Sequence, residues 1–418
     1  MTKKCYNLKK GEEMLIDELN KSMVDSFLEK FKRLNQEEPD KRIVEGFLKV
    51  YRHYFVPYVY EEKDGIFVKQ DLNYTFLKDE LLKKIYVDTP LVVLVENNKV
   101  ISTSSQPFVM AIMARDANIR EGGKILEIGT GSGYNAAILA YISGKEENVV
   151  TIEIDKKVTE FALENLKRAG FSKIKVINID GGLGYSQLAP YDSIIATCGC
   201  PEIPFFEQLK DGGYLSIPLV TRGIETLVSF RKENNKLVGK PTLFVKFLHF
   251  EGVFSDKRQF AKNIQSLQRI VETYGKKRDD LKQELSDIIE NENDEENLKL
   301  EKRKRRANFN FFLAISNDDA IMYESDIKGR ESGYGLWHSV LKTSDNGLVI
   351  LFSNEIISWG SESVVEKYVS FYKKWKELNC PSLENYSIEF FPENVAFSSE
   401  EDDYTVNRKY GRTVFRLT

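Results

Sequence analysis

The sequence predicts an α/β protein with a doubly wound parallel sheet at its centre, helices before it, and a smaller α+β module after it. Between residues 104 and 250, short apolar runs alternate with segments of helical periodicity, the pattern of βαβ units. A turn rich in glycine, "GTGSG" at 129–133, follows the first of these apolar runs. A highly charged stretch then separates this region from a second globular one.

The composition limits the function classes. A chain of 418 residues is longer than one ordinary domain, so we expect at least two domains. The net charge of −4 gives no general attraction to nucleic acid or to an anionic membrane, and we expect neither as a partner. The start of the chain lacks the apolar core of a signal peptide, which favours a cytoplasmic protein. The four cysteines and three histidines show no metal-ligand spacing, so no metal site is expected.

Residues 1–100 are predicted to form a mainly helical extension on the substrate side of the protein. Between residues 12 and 60, apolar side chains such as Ile43, Phe47 and Leu48 recur at helical spacing. Two strand-like runs, "LVVLV" at 91–95 and "KVIST" at 99–103, enclose the turn residues Glu96, Asn97 and Asn98. This arrangement predicts a β-hairpin immediately before the central sheet.

Residues 101–254 are predicted to form the core. The expected strands are "KILEI", "VVTIEI", "IKVINID", "YDSIIATC" and "GGYLSIPLV". The expected helices are "SQPFVMAIMARDAN", "NAAILAYIS", "KKVTEFALENLKRAG" and a short "IPFFEQLK". Apolar strands alternating with helices indicate a parallel sheet that is covered on both faces.

Residues 255–306 are predicted to be a charged helical linker, whose basic cluster at 302–306 is interpreted as a solvated face. Residues 307–418 are predicted to form an α+β module for substrate recognition or dimerisation. In this module we expect strands at "NFNFFLAIS", "GLVILFS", "YSIEFF" and "RTVFRL", and an amphipathic helix at "SVVEKYVSFYKKWKEL".

The glycine turn suits two classes of cofactor. "GSGYNA" at 131–136 satisfies the G-x-G-x-x-G/A pattern of dinucleotide sites, which leaves a nicotinamide-dependent oxidoreductase open. However, Glu127 at the end of the preceding strand would repel a pyrophosphate, whereas it suits the sulfonium and ammonium of S-adenosyl-L-methionine. Glu153 follows the next strand, where a carboxylate can accept the ribose hydroxyls, and Asp180 follows the third, where an acid can meet the adenine amino group. Three acidic residues at successive strand ends favour S-adenosyl-L-methionine.

The segment from about 43 to 250 resembles the protein-L-isoaspartate (D-aspartate) O-methyltransferase family. The similar segments, in order, are "FLKVYRHYFVP", "STSSQPFVMAIM", "ILEIGTGSGYNAAILAYI", "VVTIEID", "DGGLGY", "APYDSIIATCGCPEIP" and "QLKDGGYLSIPL". One departure is Tyr51, where the family usually has proline. The resemblance implies a Rossmann-like methyltransferase sheet and methyl transfer from S-adenosyl-L-methionine to an aspartyl or isoaspartyl carboxylate of a peptide or protein.

By the same resemblance, Ser105 is the expected catalytic residue, with Ser104 beside it. The alternative for these serines is to cap the helix that begins near Pro107. The implied cofactor-binding residues are Glu127, Gly129, Thr130, Gly131, Gly133, Tyr134, Glu153, Ile154, Asp180 and Gly181.

The chain is about twice as long as the repair enzymes of that family. "TPLVVLVENNKVISTSSQP" is closer to methyltransferases found with ribosomally made peptides, especially lanthipeptides. The expected function is therefore tailoring of such a peptide, through a methyl ester and a succinimide to isoaspartate. The alternatives are general repair of isoaspartyl damage, or an inactive cofactor-binding partner protein; a homodimer is also left open.

Overall fold

The computed structural model describes residues 10–34, 36–72, 79–255, 275–324, 337–344 and 347–418. Residues 256–274, which belong to the predicted charged linker, lie outside the described residues. The chain divides into two compact units. The first takes its described residues from Met1–Cys198, Pro204–Ile217 and Glu251–Val253; the second takes them from Gly199–Ile203, Pro218–Phe250 and Phe254–Thr418.

The first unit begins with helices α1 (Lys10–Arg33) and α2 (Lys41–Lys49), which are followed by a 3₁₀ turn at Arg52–Tyr54. Asp40 caps α2 by accepting hydrogen bonds from the backbone N–H groups of Arg42 and Ile43. The buried face of α2 includes Phe47, which packs edge-on against Phe27 of α1. The predicted helical start of the chain is therefore present.

Two β-hairpins and two helices lie between this start and the central sheet. They are β1 (Tyr58–Lys63), β2 (Ile66–Asp71), α3 (Asp79–Ile85), β3 (Leu91–Glu96), β4 (Lys99–Ser104) and α4 (Pro107–Asp116). Strands β3 and β4 pair antiparallel around Asn97 and Asn98, both of which have positive φ. This hairpin is the one that the sequence predicts, and asparagine tolerates the left-handed conformation that its turn requires.

The central sheet of the first unit is parallel. Its elements in chain order are β5 (Ile125–Ile128), α5 (Tyr134–Ser143), β6 (Val149–Glu153), α6 (Lys156–Ala169), β7 (Lys175–Asn178), β8 (Tyr191–Ala196) and β9 (Leu209–Thr221), of which residues 209–217 belong to this unit. The spatial order is β9-β8-β5-β6-β7, with parallel pairing throughout. Every residue of β5 is buried, which shows that both faces of the sheet are covered. The predicted doubly wound fold is confirmed.

The order of these strands creates a topological switch point. The chain leaves β5 toward β6 on one side, and β8 lies on the other side of β5. In open α/β sheets, ligands bind beyond the carboxyl ends of the strands at such a point. The segments after β5, β6 and β7 are therefore the parts of this unit where a cofactor is expected.

The second unit contains two antiparallel arrangements of strands. Its elements are β10 (Ile224–Glu233), β11 (Lys236–Phe244), β12 (Lys276–Lys277), α7 (Glu296–Ser316), β13 (Ala320–Glu324), β14 (Trp337–Lys342), β15 (Leu348–Leu351), β16 (Ile356–Trp359), α8 (Ser363–Glu377), β17 (Tyr386–Pro392), β18 (Tyr404–Arg408) and β19 (Gly411–Leu417). One arrangement has the order β10-β11-β17-β19-β18, and the other has the order β12-β16-β15-β14-β13.

The predicted domain limits differ from this division. Residues 224–244 were expected in the core, but β11 pairs antiparallel with β17, and this pairing places the β10–β11 hairpin in the second unit. The expected boundary between residues 306 and 307 falls inside α7. The pairing of β11 with β17 joins segments that are distant in sequence, and local composition does not report such contacts.

Three local predictions are wrong. "NFNFFLAIS" was expected to be a strand but forms the end of α7, where Phe309, Phe311 and Phe312 are completely buried. A helix buried on all sides has no polar face, so its apolar pattern looks like that of a buried strand. "IPFFEQLK" was expected to be a helix, but it contains only a 3₁₀ turn at Phe206–Gln208 before β9 begins.

The third wrong prediction is the solvated face at 302–306. Lys302 and Arg306 are both buried. Lys302 pairs with Asp294 at 2.8 Å, and Arg306 pairs with Glu290 at 2.8 Å. The acidic residues that precede the basic cluster in the sequence therefore neutralise it within the second unit, because a buried charge is tolerated only when it is paired.

Candidate functional site

The glycine turn that connects β5 to α5 forms the centre of the candidate site. Gly129, Gly131 and Gly133 all have positive φ, at 93°, 53° and 82°. A Cβ atom at Gly129 would lie 2.6 Å from Oγ1 of Thr197, the residue that follows β8. Side chains other than hydrogen are therefore excluded there, and the backbone is left open to a close approach by a ligand.

Glu127 lies in β5, directly before the turn, and its side chain is completely buried. Its two carboxylate oxygens accept hydrogen bonds of 2.6 Å from Asn135 Nδ2 and from Thr151 Oγ1. Burial raises the pKa of Glu127 to about 7; these two hydrogen bonds oppose the shift, and the nearby charge of Glu153 adds to it. Glu127 is therefore enclosed beside the turn, with both carboxylate oxygens already bound by neighbouring side chains.

Glu153 ends β6 and lies beside the turn. Its Oε2 accepts a hydrogen bond of 3.2 Å from the backbone N–H of Gly131, and its Oε1 accepts one of 3.2 Å from the backbone N–H of Asp155. Burial raises the pKa of this carboxyl group above its usual value. The two backbone contacts fix the carboxylate while leaving lone pairs on both oxygens for a ligand.

Asp180 follows β7 and caps a 3₁₀ turn at Gly181–Leu183. Its Oδ1 accepts from the backbone N–H of Gly182 and its Oδ2 from that of Val253, both at 2.8 Å. A Cβ atom at Gly252 would overlap with Oδ2, so the backbone at 252 passes directly against the carboxylate. Three acidic side chains thus lie at or just beyond the carboxyl ends of three adjacent parallel strands, β5, β6 and β7.

The serine segment at the end of β4 lies against the same turn. A Cβ atom at Gly131 would meet the carbonyl oxygen of Thr103 at 3.2 Å and Ser102 Oγ at 3.6 Å. Ser104 is buried, and its Oγ accepts hydrogen bonds of 3.4 Å from Nε and Nη2 of Arg52. Ser105 is half-buried, so of these two serines it has the more accessible side chain.

The alternative of a capping role for these serines is wrong. The residue that precedes α4 is Gln106, and no side chain of its own caps the helix. Instead, Asp88 Oδ1 accepts the hydrogen bond of the Phe108 backbone N–H at 2.8 Å. Asp88, which is distant in sequence, thus accepts the hydrogen bond that a nearby serine was expected to accept. The side chains of Ser104 and Ser105 do not cap the helix.

The remaining predicted cofactor residues differ in accessibility. Thr130 is buried and shares a hydrogen bond of 2.8 Å with Thr151, so its side chain points away from the turn surface. Tyr134 is buried between the rings of Phe47 and Phe55 and presents no ring surface to a ligand. Ile154, which follows Glu153, is 38% exposed and offers an apolar surface, whereas Gly181 is buried in its 3₁₀ turn.

Several residues near the site were not predicted from the sequence. Arg52, Asp88, Asn135, Thr151 and Thr197 hold the functional segments through hydrogen bonds. The sequence did contain one signal for Arg52. It is a charged residue within the aromatic run "YRHYF", whose other members would be unfavourably placed if this segment were exposed. The other residues are hydrogen-bond partners whose roles depend on contacts across the sheet.

The chemistry of this crevice fits a positively charged nucleoside. The turn sequence "GTGSG" contains no basic residue, and Glu127, Glu153 and Asp180 lie at or just beyond the carboxyl ends of the strands around it. A sulfonium and an ammonium gain from these carboxylates, whereas a pyrophosphate would be repelled. In addition, Ser102 Oγ is buried beside Gly131 and has no hydrogen-bond partner among the described residues. S-adenosyl-L-methionine thus fits the donor and acceptor groups that are present.

Comparisons with known proteins agree with this chemistry. Residues 68–252 match the family model described as protein-L-isoaspartate(D-aspartate) O-methyltransferase. A protein-L-isoaspartate O-methyltransferase of Methanosarcina mazei is 34% identical over 221 residues, which cover 52% of this chain and 80% of the relative. One from Methanococcus aeolicus is 41% identical over 182 residues, which cover 43% of this chain and 82% of the relative.

Two solved structures also match this chain, at lower sequence identity. A protein-L-isoaspartate O-methyltransferase is 21% identical, with a TM-score of 0.48, and the match covers 88% of this chain and 96% of that one. A structure described as a protein-L-isoaspartate O-methyltransferase (beta-aspartate methyltransferase) from Plasmodium falciparum, in complex with S-adenosyl-L-homocysteine, is 23% identical, with a TM-score of 0.42. The match covers 54% of this chain and 97% of that one.

Proposed function

The chain belongs to the protein-L-isoaspartate O-methyltransferase family, and from this premise we propose that it methylates the carboxylate of an isoaspartyl residue in a peptide or protein. It is a methyltransferase that uses S-adenosyl-L-methionine. The alternative of a nicotinamide-dependent oxidoreductase, which the pattern "GSGYNA" left open, is therefore not retained.

One observation carries the proposed substrate chemistry: the serine segment and the glycine turn are in contact. The carbonyl of Thr103 lies 3.2 Å from the position that a Cβ atom of Gly131 would take. Ser105 is two residues further along the chain. The serine segment thus lies beside the turn, and we expect a substrate held by the Ser105 hydroxyl to lie near a cofactor on the turn, as a direct transfer of a methyl group requires.

The residues of this chain have simple tasks in such a reaction. When bound, S-adenosyl-L-methionine supplies an electrophilic methyl group. A substrate carboxylate has an ordinary pKa near 4 and is ionised at neutral pH, so no side chain has to remove a proton. The Ser105 hydroxyl donates a hydrogen bond to one carboxylate oxygen and leaves the other free to attack. Glu153 and Asp180 would accept hydrogen bonds from the nucleoside and fix its orientation. The transfer breaks the bond between the methyl group and sulfur, so the products are a methyl ester and S-adenosyl-L-homocysteine.

The finer question is whether the substrate is damaged protein or one dedicated peptide. The relatives compared above are named as protein-L-isoaspartate O-methyltransferases, and this supports the repair-type reaction on isoaspartyl residues in general. Nothing in the described residues favours the tailoring of a ribosomally made peptide, which was the first expectation from the sequence. Substrate recognition and dimerisation by the C-terminal region stay predictions.

A pair of matched peptides tests the proposal. The peptides have the same sequence and differ only in carrying isoaspartate or aspartate at one position, and each is incubated with the full chain and methyl-labelled S-adenosyl-L-methionine. We expect label and a mass gain of one methyl group in the isoaspartyl peptide alone. Methylation of the aspartyl peptide would instead support tailoring. Labelling of neither peptide would contradict the proposed activity.

A further inference from the structure

We propose that Arg52 is a positioning residue for methyl transfer, which fixes the Ser104–Ser105 backbone by binding its carbonyl groups; this rests on the proposed function of Ser105. Arg52 is completely buried in the first unit. Its Nη2 donates to the carbonyl oxygens of Ser104 at 3.3 Å and Ser105 at 3.0 Å. The side chain therefore contacts the backbone of the residue that is expected to hold the substrate.

The same guanidinium also binds the loop that precedes the β3–β4 hairpin. Its Nη1 donates to the carbonyl oxygens of Ile85 at 3.1 Å and Val87 at 2.7 Å, and its Nη2 donates to that of Thr89 at 2.9 Å. A planar guanidinium with five N–H donors can serve two chain segments in this way, whereas the single ammonium of a lysine cannot span both. Arg52 thereby ties the serine segment to the loop at 85–89.

Asp88, a residue of that loop, holds the serine segment from its other end. Its Oδ1 accepts from the Phe108 backbone N–H at 2.8 Å, and its backbone carbonyl accepts from Gln106 Nε2 at 2.9 Å. Lys30 of α1 pairs with its Oδ2 at 2.6 Å. The backbone is thus held at Ser104 and Ser105 by Arg52 and at Phe108 by Asp88. The backbone at Ser105 therefore cannot shift without breaking one of these sets of bonds.

Stability alone gives a poor reason to bury Arg52 here. Burial lowers its pKa to about 10, which leaves it charged at neutral pH, and the acceptors given above, five backbone carbonyl oxygens and the Ser104 hydroxyl, are all neutral. Replacement of buried ionic groups by apolar residues is often neutral or stabilising in other proteins. The N–H donors of a guanidinium can fix the positions of particular backbone carbonyl groups, which an apolar side chain cannot do. A misplacement of about 1 Å near reacting groups can cost roughly a hundredfold in rate.

The test compares Arg52→Lys with Arg306→Lys. Arg306 is a matched control, because it is also buried and donates to two backbone carbonyl oxygens, of Ile288 at 2.9 Å and of Ser353 at 3.1 Å, but it lies in the second unit. For each protein, kcat and KM for the isoaspartyl peptide, Kd for S-adenosyl-L-homocysteine and Tm are measured. We expect kcat to fall roughly 10- to 100-fold for Arg52→Lys, with Kd changed less than about threefold, and kcat to be unchanged for Arg306→Lys.

Two results would overturn the proposal. One is an Arg52→Lys enzyme with the kcat of the wild type. The other is a loss of kcat and of cofactor affinity in equal proportion, because that pattern indicates general disruption. If Arg52→Lys does not fold, Asp88→Asn and Lys30→Met give the same test from the other end of the segment, and unchanged kcat in both would reject it. A wild-type enzyme that does not methylate the isoaspartyl peptide would instead reject the proposed function.

Discussion

The backbone N–H of Gly131 donates a hydrogen bond of 3.2 Å to Glu153, and this bond joins the glycine turn to the end of the neighbouring strand. The two residues are 22 positions apart in the sequence. Their contact explains why Glu153 keeps one orientation although it lies at a strand end. Because this bond joins the turn to the carboxylate, the two would hold different parts of one ligand in a fixed relative position.

Glu153→Ala should weaken the binding of S-adenosyl-L-homocysteine by about 1–3 kcal/mol, the usual range for loss of a charged hydrogen bond. The substitution also removes the acceptor of the Gly131 N–H, which leaves the turn less fixed. Calorimetric titration measures the effect. A Kd within twofold of the wild-type value would remove Glu153 from the cofactor site.

Asp180→Ala should weaken cofactor binding by a similar ~1–3 kcal/mol, because it removes the expected acceptor of the adenine amino group. Asp192 offers a matched control in the same unit, since it too accepts from a backbone N–H, that of Lys124 at 2.8 Å, near the start of β8. Asp192→Ala should lower Tm without changing Kd. Equal losses of affinity in both variants would show that the effect of Asp180 is indirect.

Ser105→Ala should lower kcat while the affinity for S-adenosyl-L-homocysteine stays nearly unchanged, because the hydroxyl is expected to hold the substrate and not the cofactor. Ser105→Thr keeps a hydroxyl at the same position and is the conservative comparison. Steady-state rates on the isoaspartyl peptide, measured beside calorimetry, separate the two effects. An alanine variant as fast as the wild type would exclude a catalytic role.

Glu127→Gln should change how stability depends on pH. The pKa of Glu127 is about 7 in the folded protein, against an ordinary 4.5. Between these values the folded state keeps a proton that the unfolded state has lost, so this group lowers the free energy of unfolding as pH rises, by up to about 1.4 kcal/mol per pH unit. The decline ends above pH 7. Glutamine has no such titration, so the variant should gain stability relative to the wild type from pH 5 to pH 8.

Denaturant unfolding of both proteins without cofactor, at several pH values, measures this difference. The comparison of the two proteins matters because His53 also titrates abnormally: burial lowers its pKa to about 3, which destabilises the fold in acid in both proteins alike. Two stability curves that run parallel from pH 5 to pH 8 would mean that Glu127 is ionised throughout this range.

The parts of the fold that were predicted correctly are those with a strong local pattern. The β3–β4 hairpin has strand-like runs around two asparagines, and the helix α8 has a clear apolar stripe. The end of α7 was taken for a strand because its side chains are buried on every side, which removes the periodicity that distinguishes a helix. The charges of Lys302 and Arg306 looked solvated because their partners, Asp294 and Glu290, are visible only as neighbours in space.

The sequence by itself determined the parallel sheet, the glycine turn and the acidic residues at the ends of three successive strands, because backbone conformation and the alternation of strands and helices along the chain follow from local residue types and their spacing. Only the tertiary structure decided how these residues act. In the folded chain, Glu127 and Tyr134 are buried, Asp88 accepts the hydrogen bond of a backbone N–H in the first turn of α4, and Arg52 binds the backbone of the serine segment. The physical reason is that desolvation and hydrogen bonding depend on neighbours in space, and most of those neighbours are distant in the sequence.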